Sequence, residues 1–289
     1  MDYQILPCEE EELEIIEEKI GEYNFSIAPP PEGAKHERVV LKITDENDKI
    51  IAGCVMTFYA WGALFVNALC VDARYRKQGL GSYLFCEAER FAREKGSYMG
   101  ILYTMSYQAR GFYQKHGYNE WLAREYPNGY ISYGFVKRFD KNEQTKPRTD
   151  KKFEVKIGTK EDGRIIGDML DEYCDSVVEC DDKEIPFGKK IVSAGGETIA
   201  AVDAEVGDWG IGLVGSLWVD GPYRRQGLAT KLLETVEKEM KENGCKEIYI
   251  YYVYDWSVEF FKKRGYFVAG EIEDFPKGHK YYTMTKKLS

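Results

Sequence analysis

The sequence predicts a mixed α/β protein built from two related domains, and three observations carry that prediction. Residues Val71–Tyr118 align with Val219–Tyr266 at an offset of 148 without a gap, and 16 of the 48 positions are identical. A repeat of that length is a whole domain and not a solenoid unit. Each half also places three strand-like runs before the repeat: Arg38 to Ile43, Ile50 to Tyr59 and Ala63 to Val71, then Lys189 to Ser193, Thr198 to Val206 and Gly210 to Val219. Turns such as Glu46-Asn47-Asp48 and Trp61-Gly62 separate the runs, the pattern of an antiparallel meander. Finally, a basic turn in each half opens an amphipathic helix. Leu80, Leu84, Phe85, Ala88, Phe91 and Ala92 share one helical face, as do Leu228, Leu232, Leu233, Val236 and Met240.

Taken in order, the chain opens with a strand around Tyr3 to Leu6. A helix with glutamates at its start (Glu9 to Glu12) follows, where negative charge suits the N-terminal dipole. That acidic run reads as a solvated face. Residues 21–36, with Pro29-Pro30-Pro31 and Gly33, read as a loop in which Tyr23 and Phe25 either pack or meet a substrate. The meander and the amphipathic helix come next. A strand at Met99 to Thr104, a short helix ending at Gly117, and strands near Asn119 to Arg124 and Tyr130 to Val136 complete the first domain, residues 1–139. The polar, proline-bearing stretch 140–152 reads as a linker. Residues 153–289 repeat the order, with a strand at Phe153 to Ile157 and a helix to about Val178. Asp274-Phe275-Pro276-Lys277-Gly278-His279 lines up with Glu125-Tyr126-Pro127-Asn128-Gly129-Tyr130.

The 289 residues suit two domains of ordinary size. The net charge of -9 divides into -5 over residues 1–140 and -4 over the remainder. An acidic surface argues against nucleic acid as the partner and is compatible with a cationic amine. No apolar run is long enough to span a bilayer, and Met1-Asp2-Tyr3-Gln4 lacks the start of a signal peptide. Seven cysteines without CxxC spacing and three scattered histidines speak against a metal site. Reduced thiols in a cytoplasmic protein are the expectation, either as a monomer with pseudo-dimeric domains or as a homodimer.

The repeat is anchored on Val71-Asp72-Ala73-Arg74-Tyr75-Arg76-Lys77-Gln78-Gly79-Leu80-Gly81-Ser82 and on Val219-Asp220-Gly221-Pro222-Tyr223-Arg224-Arg225-Gln226-Gly227-Leu228-Ala229-Thr230. A helix opening at such a turn offers unpaired N–H groups and its positive dipole end, and small residues let an anion come close. This is phosphate-cradle chemistry. Neither copy ends in the Gly-Lys-Ser/Thr of a P-loop, and neither has the third glycine and distant acid of a dinucleotide fingerprint. What remains is Arg-x-x-Gly-x-Gly and Arg-x-x-Gly-x-Ala, with Phe112-Tyr113-Gln114-Lys115-His116-Gly117-Tyr118 and Phe260-Phe261-Lys262-Lys263-Arg264-Gly265-Tyr266 downstream. Both segments resemble the GNAT-type N-acetyltransferases, in tandem.

The resemblance implies two GNAT-fold domains, each a largely antiparallel twisted sheet flanked by helices, with a parallel splayed strand pair at the acyl-CoA site. It implies acetyl-CoA as cofactor. The positions that would contact it are Leu69, Cys70, Val71, Arg76, Lys77, Gln78, Gly79, Leu80, Gly81, Ser82, Ser106 and Tyr113. In the second half they are Leu217, Trp218, Val219, Arg224, Arg225, Gln226, Gly227, Leu228, Ala229 and Thr230. By the same resemblance the backbone N–H of Leu69 (Leu217 in the second copy) holds the thioester carbonyl as an oxyanion donor. Tyr113 either protonates the departing thiolate or packs its ring beside the cofactor. Phe261 stands at the matching place with no proton to give, which sets the two domains apart. Ser106 and Tyr254 occupy a position that is commonly asparagine in the family.

No general base is identifiable. Asn67, Tyr103, Glu120 and Glu125 are open candidates in the first domain, and Asp274 and His279 in the second. Cys70 reads as a buried thiol rather than a ping-pong nucleophile. The expectation is direct acetyl transfer to a primary amine of a small, cationic metabolite or antibiotic, with the first domain catalytic. Two alternatives are acetylation of a protein lysine or N-terminus, and an acyl-CoA-binding regulatory or scaffold module with one inactive domain.

Overall fold

The computed structural model describes residues 4–140, 153–178 and 185–288. The chain begins with β1 (Ile5–Pro7) and α1 (Glu10–Ile27). The meander is β2 (Glu37–Thr44), β3 (Ile50–Tyr59) and β4 (Ala63–Val71). Then come α2 (Leu80–Glu94), β5 (Met99–Met105), α3 (Arg110–Lys115), β6 (Asn119–Glu125) and β7 (Ile131–Arg138). The second half runs β8 (Lys156–Ile157), α4 (Lys160–Asp175), β9 (Ile185–Pro186), β10 (Lys189–Val192), β11 (Thr198–Val206) and β12 (Ile211–Val219). It ends with α5 (Leu228–Glu242), β13 (Glu247–Tyr254), α6 (Val258–Lys262), β14 (Phe267–Glu273) and β15 (Lys280–Lys287).

The strands form two sheets, ordered β6-β7-β5-β4-β3-β2-β8 and β1-β10-β11-β12-β13-β15-β14, with β9 also on β11. Among the described residues, the parallel pairs are β4–β5 and β12–β13, and the neighbours around them run antiparallel. The mixed α/β class with two largely antiparallel sheets is therefore the one the sequence predicts. The apolar stripe of α2 supplies Leu84, Phe85, Ala88 and Ala92 to the core of the first sheet. Leu232, Leu233, Val236 and Met240 of α5 do the same for the second.

The strand order overturns one expectation. β1 pairs with β10, bringing Ile5 opposite Ile191, and β8 pairs with β2, bringing Leu41 opposite Ile157. Each half thus gives its opening strand and helix to the other half's sheet. The chain divides into one unit of Pro30–Ala123 and Ile131–Glu179, the first unit below, and another of Met1–Pro29, Arg124–Tyr130 and Cys180–Ser289, the second. The contiguous division at 1–139 and 153–289 is not the division of the structure, and linker residues 141–152 lie outside the described residues. The physical reason is a fit between helix and sheet. On α4, Ile166 is fully buried against Gly53 of β3, where no side chain intervenes. The helix is fixed at its start by a Thr159–Asp162 capping box, and Lys42 of β2 reaches Asp162 at 2.8 Å. In the second unit, Glu12 of α1 accepts from Lys190 and from Thr198, so that part of the acidic run is a docking contact.

Candidate functional site

In the first sheet β4 and β5 pair only from Ala63/Met99 to Val66/Leu102; beyond that they part, β4 staying paired to β3 and β5 to β7. A bulge sits at the point of parting: Val55 faces Ala68 and Met56 faces Val66, leaving Asn67 as the extra residue. Bulges redirect side chains and end pairing. The gap they open is a cavity of about 370 Å³ that runs from the basic turn to Tyr113 and α4. Of the predicted residues, Leu69, Cys70, Val71, Arg76, Lys77, Gly79, Gly81, Ser82 and Tyr113 line it.

The turn has the geometry of an anion cradle. Lys77 (φ 60°) and Gly79 (φ 90°) are both left-handed, and no side chain caps the start of α2. A β carbon at Gly79 would meet nothing within 4 Å, so the concave side is open. The first N–H groups of α2 are thereby free to face a phosphate. Arg76 does not float above the turn. Its Nε donates to the Val71 carbonyl at 2.8 Å, and its guanidinium stands 4.7 Å from the Tyr173 ring centroid. The turn is further tied to α3 where His116 Nε2 meets Ser82 Oγ at 3.1 Å.

Tyr113 is 7% exposed, its ring set among Phe85, Phe112 and Phe135. Burial, and then the neighbouring Cys54, hold its phenol far above the ordinary value, so it stays protonated. Burial also raises the Cys70 thiol, which disfavours a thiolate nucleophile there.

Three predicted residues of the first unit do not line the cavity. Gln78 folds back to donate to the Arg74 carbonyl at 3.1 Å. Leu80 points into the core. Ser106 closes the end of β5 onto Ile131, donating its N–H to that carbonyl at 2.7 Å. Among the open base candidates, Asn67 and Tyr103 line the cavity. Glu120 is held by Arg110 at 2.8 Å, and Glu125 belongs to the second unit.

Leu170 and Tyr173 of α4 complete the wall. Sequence reasoning missed both, because α4 belongs to the other half of the chain. The available signal was the echo of Glu22-Tyr23 in Glu172-Tyr173.

The second unit repeats the frame. β12 and β13 pair from Ile211/Glu247 to Val214/Ile250 and then part. Arg225 (φ 63°) and Gly227 (φ 84°) repeat the left-handed turn, and Arg224 Nε donates to the Val219 carbonyl at 2.8 Å. The Arg224 guanidinium lies 4.5 Å from the Tyr23 ring of α1 and 4.6 Å from Trp218, whose Nε1 donates to Asp220 at 2.8 Å. Tyr23 is thus a packing residue over the loop. Gln226 donates to the Pro222 carbonyl at 3.2 Å, Leu228 is core, and Thr230 accepts from Arg264 Nε at 3.1 Å. Leu217 and Val219 pack against that same core, and Ala229 opens α5 beside Leu228. Phe261 is 7% exposed, and Tyr254 stacks on Trp256 with centroids 4.6 Å apart.

One feature of the second unit has no counterpart in the first. Asp203 of β11 sits beside the bulge at Gly215, where a β carbon would lie 2.7 Å from its Oδ2. Burial raises its carboxyl. Glu17 of α1 is raised as well, by burial and then by the Asp203 charge. The matching position in the first unit is Val55. Of the two bases open in the second half, Asp274 accepts from Gly278 N–H at 2.7 Å as a turn residue. His279 pairs with Asp255 at 3.2 Å. Among the described residues no His, Cys, Asp and Glu group could hold a metal, and no helix is long and apolar enough to cross a membrane. The six described cysteines are free, and Cys180 lies outside the described residues.

Comparison with known proteins matches both halves. Residues 36–120 match the model of an acetyltransferase (GNAT) domain, and residues 166–266 match that of the acetyltransferase (GNAT) family. Over 91 residues the chain is 42% identical to the blasticidin-S acetyltransferase of Streptomyces morookaense, covering 30% of this chain and 65% of that protein. Among solved structures, an acetyltransferase from Bacillus cereus ATCC 14579 is 37% identical, with a TM-score of 0.44, over 47% of this chain and 97% of its own. A PaiA N-acetyltransferase from Thermoplasma acidophilum, solved with coenzyme A, is 16% identical with a TM-score of 0.30, over 44% and 70%.

Proposed function

Since the chain belongs to the GNAT acetyltransferase family, with two tandem domains, we propose that it moves an acetyl group from acetyl-CoA to the primary amine of a small molecule. Transfer takes place in the first unit, by direct attack within a ternary complex. The observation that supports this reading is the cavity joining the open turn at Lys77 and Gly79, the β4 residue Leu69, the buried hydroxyl-bearing Tyr113 and the α4 residues Leu170 and Tyr173, which we take as the acceptor wall. The 42% identity to a blasticidin-S acetyltransferase supports a small-molecule acceptor.

The cofactor supplies an activated acyl carbon as a thioester. Toward it, the turn and the start of α2 bind phosphate through N–H groups and the side chains of Arg76 and Lys77. The Leu69 N–H donates to the carbonyl oxygen as negative charge develops there. Tyr113 holds the proton that the departing sulfur takes, and its raised phenol keeps that proton in place through the neutral range. In the second unit Phe261 has no such proton, and this supports a unit that binds acyl-CoA without turning it over.

Calorimetric titration of acetyl-CoA into the full chain tests both statements. Binding at two sites with Gly227→Ala removing one and sparing turnover is the expected result. Gly79→Ala, which forces a β carbon into a left-handed conformation, abolishes turnover. No binding to the unaltered chain sinks the acetyltransferase reading. Turnover lost with Gly227→Ala and kept with Gly79→Ala reverses the assignment of the units.

A further inference from the structure

The cavity of the first unit has walls of three kinds. Its loop end carries Arg76 and Lys77, its middle is aromatic with Tyr103 and Tyr113, and its polar groups are the amides and hydroxyls of residues such as Asn67 and Gln108. Among the described lining residues there is no carboxylate. Three acids of the same unit are engaged elsewhere, while Asp171 and Glu172 stand between Leu170 and Tyr173 on α4. Asp72 holds Arg74 at 2.7 Å, Glu120 holds Arg110 at 2.8 Å, and Asp162 holds Lys42 at 2.8 Å.

An alkylammonium ion, with a pKa of about 10, would leave water for a lining that offers it no carboxylate, Arg76 and Lys77 being matched to the cofactor's phosphates. It would then need a base to strip a proton before its nitrogen could attack. An amino group conjugated to a ring, with a conjugate acid below about 5, is uncharged at neutral pH on the same scale. It needs neither counter-ion nor base, and a flat ring suits walls of aromatic side chains.

Taking the acyl-transfer reading above as given, we infer that the acceptor is a weakly basic amine carried on a flat conjugated ring. It binds uncharged, against Tyr103 on one side and the α4 residues Leu170 and Tyr173 on the other. This replaces the cationic acceptor that the acidic composition suggests: the net charge belongs to the whole surface, and the cavity does not share it. The proton balance closes without a carboxylate. The nitrogen lone pair forms the C–N bond, the C–S bond breaks, and sulfur leaves with the electron pair. Tyr113 gives its proton to sulfur and regains one from the acylated nitrogen through solvent, leaving an amide and a free thiol.

The test measures thiol release from acetyl-CoA by the full chain with two acceptor series. One comprises anilines and aminopyrimidines, the other alkylamines. At neutral pH the ring amines are expected to show kcat/KM at least about 100-fold higher, and flat between about pH 6.5 and 8.5, because they carry no proton to lose. Faster alkylamines, or a rate that climbs with each pH unit, would overturn the inference. Leu170→Asp places a carboxylate on the acceptor wall and shifts the ratio toward alkylamines by about tenfold. An unchanged ratio in a folded variant counts against the assigned wall, and if the variant does not fold the unaltered chain's ratio decides. Parallel titration with acetyl-CoA separates the two failures. Without cofactor binding, acyl transfer itself falls. With binding but no thiol release from either series, only the ring-amine acceptor falls.

Discussion

Gly53 of β3 and Ile166 of α4 approach so closely that a β carbon on the glycine would stand 2.2 Å from both Cδ1 and Cγ1 of the isoleucine. One residue belongs to the first half of the chain and the other to the second, and their contact seats the helix whose Leu170 and Tyr173 line the cavity. Gly53→Ala is expected to lower stability by about 1–3 kcal/mol, the usual cost of overpacking. On an Ile166→Ala background the penalty shrinks, since the clash partner is gone. Denaturant midpoints of the four proteins in this cycle check it; a penalty unchanged by the second substitution would place the strain elsewhere.

Tyr113→Phe keeps the ring and removes the proton. It is expected to lower kcat by on the order of 10² or less, with KM nearly unchanged. Steady-state kinetics with the best acceptor read this directly, and unaltered kcat removes Tyr113 from the mechanism.

The Lys42–Asp162 pair ties α4 to β2 with both side chains mostly covered. Its hydrogen bond from Lys42, followed by that from the Thr159 backbone, lowers the Asp162 carboxyl from 3.8 to about 2. A lowered folded value means the contribution is present above the unfolded value and is lost as pH falls from about 4 toward 2. Its full size is no more than about 2 kcal/mol. Asp162→Asn should therefore cost Tm at pH 7 and converge with the unaltered protein near pH 2. A gap independent of pH would assign the loss to the helix cap alone.

Asp203 has the opposite sign. Burial raises its carboxyl, so the folded state holds the proton more tightly than the unfolded one and stability declines as pH rises through that range. Asp203→Asn is expected to raise Tm at pH 7, with the gain fading under acid conditions. A lower Tm at neutral pH would mean that the charged form is stabilised by contacts the burial argument leaves out.

The two cradle turns were legible because their chemistry needs consecutive residues: the basic pair, the left-handed glycine and the helix behind it are all local. The meander follows from the turn residues between its runs, and the parting of β4 from β5 only from the family resemblance. The exchange of β1–α1 for β8–α4 was not legible. Each helix carries the same kind of apolar face whichever sheet receives it, and a duplicated pattern is satisfied equally by either arrangement. Leu170 and Tyr173 were hidden by that ambiguity. That Ser106 and Gln78 do not line the cavity was hidden for a different reason, since alignment fixes a position along the chain while the hydrogen bonds a side chain finds, to Ile131 and to Arg74 here, decide where it rests. Asp203 stands with Glu205 in an otherwise largely apolar strand, and nothing local says that a neighbouring bulge at Gly215 makes room for it.

The traded helices also change what recombination between relatives would do. A crossover within residues 141–152 would join the first half of one parent to the second half of another. In the chimera, the first unit would draw its basic turn from the former and the cavity residues at 170 and 173 from the latter. Under the function proposed above, one exchange at that point reassorts acceptor choice against cofactor grip, two determinants that would be inherited together if each half kept its own helix.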